Sequence, residues 1–425
     1  MPTTAGKVSA PIRSIRAVPL ESVRSDADAC PGALRLHAAA DGPLARVRVP
    51  GGRMTGAQLA AVHELAARWG DGHVELTSRA NLQLRALKDA PAEEMAAELR
   101  RAGLLPSETH ELVRNVVASP LAGALPVEAL DGALCADPAL AELPGRFLFA
   151  LDGGAGDVAF GADVAALPLD GEVAILFAGV EAGLRVPPAE VVPALLAAAH
   201  AFLAERAAIP SRPSTPEAGG PQRLAWRVRE LPDGPMRVAA RTAAALGRAL
   251  GEPVRRSRPA LREPIGLIEQ PGGTVAVGAL VPLGRLNDTQ LKVLTSAQAL
   301  VFTPWRGVVL PGLTPQAAES WAAALAGVGL EATAGSRWAG VTACAGRPGC
   351  AKALADVRAD AAAATVAGEG LPVHWVGCGR GCGSPAGPHV RVEATGTGYE
   401  VRSPFAGGVV AVGEVGALVG AARKG

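Results

Sequence analysis

The fold of this 425-residue chain is decided by two short stretches, VPGGRMTGAQL at Val49–Leu59 and VPLGRLNDTQL at Val281–Leu291. The two stretches share Val, Pro, Gly, Arg, Gln and Leu, which makes six of eleven aligned positions identical. In each, a strand is expected to run into a Pro-x-Gly turn. The duplication predicts two related halves within one chain.

Each turn is followed by a helix signal. Thr55 precedes Gln58, and Asn287 precedes Gln290, at the spacing of a capping box that begins a helix. Apolar residues then recur at helical spacing in both copies. A further strand follows each helix, VELTSRANLQLRAL in the first half and LVFTPWRGVVLPGL in the second. Strand, helix and strand, repeated once, predict an α+β fold.

Four cysteines near the C-terminus carry the strongest chemical signal. They form C-x5-C followed by C-x3-C and are Cys344, Cys350, Cys378 and Cys382. Thiolates paired at short spacing are what an iron–sulfur cluster requires, and flanking glycines let backbone N–H groups approach the sulfur atoms. The two remaining cysteines, Cys30 and Cys135, lie far away in the sequence and are interpreted as small buried hydrophobes.

A zinc site and two disulfides are the alternatives to a cluster. Zinc ligands are usually spaced by two to four residues, so x5 followed by x3 departs from that pattern. Disulfides suit short secreted chains, whereas this chain is long and its start, with Arg13 and Arg16 inside the apolar run, does not resemble a signal peptide. We therefore expect a reducing, cytoplasmic location.

Composition excludes some function classes. The net charge is +1 with 19% charged residues, which predicts neither a basic surface for nucleic acid nor an acidic tail. The most membrane-like segment, Phe405–Ala422, is rich in glycine and contains Glu414, so it is interpreted as a strand and turn. The Pro/Gly/Ser-rich segment near 208–222 is expected to be a linker, and residues 1–27 to be poorly ordered.

A polar strand face is the second chemical signal. From Glu75 to Arg85 strand periodicity places the odd positions, which include arginine and amide side chains, on one face of a strand. Arg46 and Arg48 share a face of the preceding strand. A solvated sheet face would explain this pattern. Arginine with amides also suits a ligand that carries many carboxylates, and both interpretations stay open here.

The order of several motifs resembles the sulfite and nitrite reductase superfamily. These motifs are ARVRVPGG, LTSRANLQLR, VRNVVASPLAG, LPGRFLFALDGG and the two cysteine pairs. Within the superfamily the chain is most similar to the precorrin-3B synthases. The resemblance implies ferredoxin-like half-repeats at 28–90 and 258–315, α/β domains at 105–255 and 330–425, and a 4Fe-4S cluster beside a tetrapyrrole site.

The resemblance also implies roles for individual residues. Cys344, Cys350, Cys378 and Cys382 match the cluster ligands. Candidate tetrapyrrole-binding residues are Arg48, Thr77, Arg79, Asn81, Gln83, Arg85 and Arg306. Arg46 and Arg114 match arginines that face the small anion in the reductases. Arg146 matches the first lysine of a K-F-K motif at the same site. The second lysine of the reductase K-F-K motif is replaced by Leu148. Loss of that cation and proton source favours the synthases.

The activity implied is the O2-dependent hydroxylation of precorrin-3A at C20, with formation of a γ-lactone. The cofactors implied are the 4Fe-4S cluster and, beside it, either siroheme or a mononuclear non-haem iron. His37 with Asp41, or His374 with His389, could supply ligands to such an iron. Electrons derived from NADH would arrive through a donor protein, since no nicotinamide-binding motif is present. Two alternatives remain, a siroheme-dependent sulfite or nitrite reductase and a non-catalytic electron-transfer or tetrapyrrole-carrier protein.

Overall fold

A computed structural model describes residues 30–123, 125–209, 225–254, 263–333, 335–385 and 387–424. The N-terminal segment 1–27, predicted to be poorly ordered, lies outside these ranges, as does most of the predicted linker at 208–222. The described residues form four sheets. Two belong to the repeated halves and two to α/β domains.

The first half contains four short strands and two helices. Their bounds are β1 Ala45–Val47, β2 Arg53–Met54, α1 Gly56–Trp69, β3 Val74–Leu76, β4 Leu82–Leu84 and α2 Ala92–Arg101. Thr55 caps α1 in the predicted capping box, in which Gln58 N–H donates to the Thr55 hydroxyl and the Gln58 side chain accepts from Thr55 N–H.

The first α/β domain follows. Its elements are β5 Val116–Ala118, α3 Val127–Ala136, β6 Phe149–Leu151, β7 Val164–Leu169, β8 Glu172–Phe177, β9 Val180–Val186, α4 Val191–Ala207 and α5 Gly234–Ala245. The strands are ordered β5-β6-β7-β8-β9. The segment Pro188–Ala207, which includes α4, is long and apolar enough to cross a membrane by length and composition. Here the buried side chains of α4 pack in the core of the domain.

The second half repeats the first with one additional strand. Its elements are β10 Gly266–Gln270, β11 Thr274–Leu280, β12 Arg285–Leu286, α6 Asp288–Leu294, β13 Leu300–Phe302, β14 Gly307–Leu313 and α7 Pro315–Gly327. Asn287 and Gln290 form the second predicted capping box at the start of α6. Both capping boxes predicted from the repeat are therefore confirmed.

The last domain has the elements β15 Val341–Ala343, α8 Val357–Ala364, β16 Val373–Val376, β17 Val390–Ala394, β18 Tyr399–Arg402, β19 Gly407–Val410 and α9 Val415–Lys424. Its sheet is ordered β15-β16-β17-β18-β19. The first three strands are parallel and the last two antiparallel, as in the first α/β domain. The two α/β domains are thus a second repeat.

The two halves exchange strands. The first sheet is ordered β1-β4-β3-β12, and the second is ordered β10-β11-β14-β13-β2, so each contains a strand from the other half. The exchanged strands β2 and β12 are the ones that follow the repeated Pro-x-Gly turns. Gly52, in the first turn, has φ +69, and a Cβ there would lie 2.0 Å from the carbonyl oxygen of Phe302 in β13. Only glycine permits this approach.

One hydrophobic core joins the halves. It is formed by one face of each sheet and by the inner faces of α1, α2, α6 and α7. Since α2 and α7 belong to this core, each half-repeat extends beyond the ends predicted at residues 90 and 315. The mixed α+β fold is confirmed.

Two local predictions were wrong. The segment from Glu75 to Arg85 is a β-hairpin and not one strand, because Thr77 N–H donates to the Asn81 carbonyl oxygen at 2.9 Å and closes a turn between β3 and β4. The segment Phe405–Ala422 does begin with a strand, but its second part is helix α9 instead of a turn. An alternating pattern cannot distinguish a long strand from two strands folded onto each other.

Candidate functional site

A ladder of polar side chains crosses the outer face of the first sheet. Arg46 lies opposite Gln83, which lies opposite Glu75. Arg46 Nη2 donates to Gln83 Oε1 at 3.0 Å, and Gln83 Nε2 donates to Glu75 Oε2 at 3.0 Å. This face is buried, since Glu75 is 7% exposed and Gln83 is 9% exposed. The interpretation as a solvated sheet face is therefore wrong.

The hairpin turn between β3 and β4 is held by two of the predicted site residues. The Thr77 hydroxyl accepts from Asn81 N–H at 3.1 Å and from Arg79 N–H at 3.3 Å. Asn81 Oδ1 accepts from Val49 N–H, and its amide donates to Asn115. Thr77 and Asn81 therefore fix the shape of the turn that presents Arg79.

Arg79 extends from this turn to the first α/β domain. Its guanidinium donates to the carbonyl oxygens of Gly145 at 3.2 Å and Arg146 at 2.9 Å. Burial lowers the pKa of Arg79 to about 10, and nearby Arg227 adds to this effect. The guanidinium of Arg146 lies 5.0 Å from the ring centroid of Trp226, a distance typical of a cation–π contact.

Arg48 has the least satisfied guanidinium group of the face. It is 3% exposed, and its Nη2 makes only long hydrogen bonds, to the carbonyl oxygens of Pro31 at 3.3 Å and Leu112 at 3.4 Å. Its Nε and Nη1 have no hydrogen-bond partner among the described residues. Burial lowers the pKa of Arg48 to about 9, and repulsion from the positive charge of Arg46 contributes to this lowering. The group still carries its charge at neutral pH.

Two further arginines reach the same face from the C-terminal half of the chain. Arg358, in α8, donates through Nη1 to Glu75 Oε1 at 2.5 Å. Arg306 has φ +64, a backbone conformation that side-chain-bearing residues rarely adopt and that is frequent at functional sites. Burial lowers the pKa of Arg306, and the charge of Arg358 lowers it further, whereas Glu75 raises it. Both guanidinium groups are thus within electrostatic reach of Glu75.

We call these six residues the arginine cluster: Arg46, Arg48, Arg79, Arg146, Arg306 and Arg358. Glu75 is the carboxylate shared by Arg46, Arg306 and Arg358. Among the described residues, Arg46 Nε and Arg358 Nε also have no hydrogen-bond partner. Buried cationic donors without acceptors are strongly unfavourable unless an anion completes them. The arrangement therefore suits a ligand with several carboxylates.

Two predicted site arginines are engaged elsewhere. Arg114 binds both carboxylate oxygens of Asp131, at 2.8 and 2.6 Å, and the carbonyl oxygen of Leu104 at 3.1 Å. Arg85 binds both oxygens of Asp41 at 2.9 Å and the carbonyl oxygen of Gly349 at 2.6 Å. Both guanidinium groups hold parts of the fold together in the structure described.

The four C-terminal cysteines lie on two loops of the last domain. One loop follows β15 and carries Cys344 and Cys350; the other follows β16 and carries Cys378 and Cys382. Since β15 and β16 are adjacent and parallel, both loops leave the same edge of the sheet. Gly377 N–H donates to Cys344 Sγ at 3.2 Å, as expected of a thiolate ligand.

The four thiols fit an iron–sulfur cluster. Burial raises the pKa of Cys382; Arg380 opposes this rise, whereas the other three cysteines add to it, so Cys382 lies within electrostatic reach of each of them. No group of three or more His, Cys, Asp or Glu side chains within the described ranges is arranged to hold a single metal ion. A cubane cluster needs a wider arrangement than one ion, because each thiolate binds a different iron. The donor set is thiolate only, which suits iron–sulfur chemistry.

The cysteine loops lie against the arginine cluster. Arg85, at the end of β4, holds the carbonyl oxygen of Gly349, the residue before Cys350. A Cβ at Gly383, the residue after Cys382, would lie 3.5 Å from Arg306 Nη2. The cysteine loops and the polar face therefore form one continuous site at the junction of three domains.

The proposed ligands of a second iron are used in other ways. His374 is fully buried; its Nδ1 lies 2.7 Å from Thr342 Oγ1 and its Nε2 lies 2.9 Å from the Cys382 carbonyl oxygen. The ring centroids of His374 and His389 are 6.5 Å apart. Asp41 binds Arg85, and His37 makes backbone hydrogen bonds with Leu44. Neither pair forms a metal site in the structure described.

Sequence reasoning missed Arg358 and the central role of Glu75. Arg358 lies in the first turn of α8 and belongs to no recognisable motif. Glu75 is the first residue of the alternating pattern, but a carboxylate at that position also fits a solvated face. Neither position carries a signal that sequence alone could have interpreted.

The first half of the chain is similar to a known protein family. Residues 37–102 match the family model described as the nitrite/sulfite reductase ferredoxin-like half domain. The model of that half domain covers β1 to α2, the part of the chain that supplies Arg46, Arg79 and Glu75.

Relatives and a solved structure extend this likeness beyond the half domain. The chain is 28% identical to the ferredoxin–nitrite reductase of Synechococcus elongatus over 80% of this chain and 74% of that protein. It is 26% identical to the precorrin-3B synthase of a Sinorhizobium species over 87% of this chain and 81% of that protein. The NirA protein of Mycobacterium tuberculosis has the same fold, with a TM-score of 0.69, 19% identity and coverage of 88% of this chain and 79% of that chain. The curated relatives are oxidoreductases.

Replacement of a cluster cysteine is expected to remove the metal centre. In protein purified without oxygen, Cys350→Ser should lose most of the broad visible absorption and most of the iron and acid-labile sulfide, because one iron loses its thiolate. Cys135→Ser is the control and should retain both. A fully loaded Cys350→Ser protein would contradict the assignment, as would zinc in place of iron in the unsubstituted protein.

Two buried arginines should respond oppositely to removal of their charge. Arg114→Met leaves the half-buried Asp131 carboxylate without its partner and should lower the free energy of unfolding by about 3 kcal/mol, the lower end of the range for a buried pair. Arg48→Met removes a charge that the ligand-free protein barely satisfies, so we expect unchanged or increased stability. Chemical denaturation without ligand measures both. If Arg48→Met were as destabilising as Arg114→Met, Arg48 would be a structural residue and not a ligand-binding one.

Proposed function

We propose that this protein is an oxidoreductase that hydroxylates a polycarboxylate tetrapyrrole with O2, the reaction of precorrin-3B synthase on precorrin-3A. One observation carries the proposal: a face of buried arginines, several with donors that lack acceptors among the described residues, adjoins the two loops that carry the four cysteines. The arginines suit the carboxylates of the tetrapyrrole, and the thiols suit an electron-transferring cluster.

The roles of the residues follow from their positions. Arg46, Arg48 and Arg79 would bind carboxylates of the substrate from the half domain, and Arg306 and Arg358 from the opposite side. Gln83 and Glu75 orient Arg46 and Arg358 through hydrogen bonds. Fixed donors of this kind hold a rigid macrocycle in one orientation, so that only one edge faces the reacting oxygen.

Cys344, Cys350, Cys378 and Cys382 would hold a 4Fe-4S cluster, which supplies electrons one at a time. Hydroxylation by O2 consumes two electrons and two protons, places one oxygen atom in the product and releases the other as water. Because the chain has no nicotinamide-binding motif, we propose that a donor protein delivers electrons derived from NADH. We also propose a cytoplasmic location, where cluster thiols stay reduced.

Leu148 supports the synthase over a reductase. It is 8% exposed and belongs to an apolar cluster against which Trp305 packs. A lysine ammonium in this environment would be desolvated and unpaired. The site therefore has one cation and one proton donor fewer than the reductase motif implies, which is a disadvantage for multi-electron reduction of an oxyanion.

A siroheme-dependent nitrite or sulfite reductase is the second candidate. The similarity to the nitrite reductase of Synechococcus elongatus is as great as that to the synthase, and it favours this alternative. In that case siroheme would occupy the arginine cluster as a cofactor, and the same carboxylate contacts would bind it. A tetrapyrrole carrier would use these contacts without turnover.

The candidates differ in their products. With a chemical or protein electron donor, precorrin-3A and 18O2, the synthase proposal predicts a product with one added oxygen atom that carries the label, detected by mass spectrometry. Nitrite and sulfite turnover should remain at background, and Arg79→Ala should reduce the turnover of precorrin-3A. Rapid nitrite or sulfite reduction without precorrin turnover would overturn the proposal in favour of the reductase. Tight tetrapyrrole binding without any turnover would favour the carrier.

A further inference from the structure

The segment before β1 brings Cys30 next to the arginine cluster. Arg46 N–H donates to the carbonyl oxygen of Gly32 at 3.1 Å, and Arg48 Nη2 donates to that of Pro31 at 3.3 Å. Glu111 accepts from the N–H groups of Ala33 at 2.8 Å and Leu34 at 3.0 Å. The residues that follow Cys30 are therefore anchored on both sides.

The sulfur atom of Cys30 lies within electrostatic reach of three cluster arginines. Burial is the largest effect on the pKa values of Arg46, Arg48 and Arg79 and lowers all three. A negative charge at Cys30 acts in the opposite direction and raises them. In general, an arginine beside a cysteine favours the thiolate form of that cysteine. A thiolate beside arginine is the reactive form of cysteine. The sequence alone indicates only a small buried hydrophobe at Cys30.

The same place also has unfilled hydrogen-bonding capacity. Arg48 is 3% exposed, and its Nε and Nη1 have no hydrogen-bond partner among the described residues. These donors are suited to a carboxylate. An anion bound to them would lie close to the sulfur atom of Cys30, since Arg48 interacts with both.

We propose that Cys30 is a reactive thiol of the arginine cluster and a modification site, at which a covalent adduct and a bound polycarboxylate exclude each other. The class of ligand rests on the proposed function; the reactivity of the thiol does not. The surrounding arginines should draw anionic reagents to Cys30 in preference to neutral ones. Modification there would close the site to its substrate.

Cys135 provides an internal comparison. Burial raises the pKa of Cys135, and the negative charge of Asp131 raises it further. Its basic neighbour Arg114 lowers this pKa through its charge and a hydrogen bond, but Arg114 is also bound to Asp131 at 2.6 Å, which offsets its positive charge. Cys135 is thus a thiol of the same chain that lacks a surplus of positive charge.

The reagents for the test are iodoacetate, which is anionic, and iodoacetamide, which is neutral and similar in size. In both reactions the sulfur atom displaces iodide, so that a carbon–sulfur bond forms as the carbon–iodine bond breaks. In the protein with its cluster bound, peptide mapping by mass spectrometry gives the rate at each cysteine. The ratio of the iodoacetate rate to the iodoacetamide rate should be roughly tenfold higher at Cys30 than at Cys135 at low salt.

This selectivity should fall as salt is added, because salt screens the arginines, and it should fall in Arg48→Met. Equal ratios at the two cysteines would overturn the assignment of Cys30, whether or not any tetrapyrrole binds.

Uroporphyrin, a stable tetrapyrrole with many carboxylates, tests the exclusion. We expect it to protect Cys30 but not Cys135, and we expect iodoacetate to abolish its binding to the unsubstituted protein but not to Cys30→Ser. If uroporphyrin binds but does not protect Cys30 from alkylation, the adduct and the ligand do not exclude each other and this part of the proposal is wrong. If uroporphyrin does not bind at all, the polycarboxylate tetrapyrrole of the proposed function is the wrong class of ligand. The ratio of the iodoacetate and iodoacetamide rates still tests whether Cys30 is a reactive thiol.

Discussion

The reciprocal exchange of β2 and β12 is the constraint on which the rest of the structure depends. Each sheet is completed by a strand from the other half, and Gly52 allows the exchanged strand to lie against the backbone of Phe302. The exchange unites both sheets and four helices around one core. It therefore fixes which face of each sheet is turned outward, towards the α/β domains and their loops.

The two outward faces have diverged in chemistry. In the second sheet this face carries Val301 and Val309 in a small apolar cluster. In the first it carries Arg46, Gln83 and Glu75, and the cysteine loops cover it. Burial of charged groups is tolerated when their partners complete them. Here Arg48 keeps two donors that have no partner among the described residues, and for this reason we propose an anionic ligand for the face.

The sequence could predict the parts of this structure that depend on local pattern. The repeat and its capping boxes predicted the paired halves because the relevant contacts lie within a few residues of each other. The C-x5-C and C-x3-C spacing led to the prediction of a cluster, and the structure places the four cysteines on two neighbouring loops. The hairpin between β3 and β4 was missed because alternation along a strand continues across a tight turn.

The parts that depend on distant segments could not be predicted. Arg358 and Glu75 are 283 residues apart and meet only after the halves have exchanged strands and the last domain has packed on the first sheet. Similarly, sequence could not show that Arg114 faces Asp131 or that Leu148 lies in an apolar cluster. Burial of the polar face required the tertiary structure, since a solvated and a buried polar face have the same sequence pattern.

The central claim is that the arginine cluster and the cysteine loops form one site. The most direct measurement is the reduction potential of the iron–sulfur centre, by anaerobic spectroelectrochemistry, with and without saturating uroporphyrin. A polyanion bound to the arginine cluster adds negative charge and excludes water near the centre, so we expect a lower reduction potential when the ligand is bound. An unchanged potential with uroporphyrin demonstrably bound would contradict it.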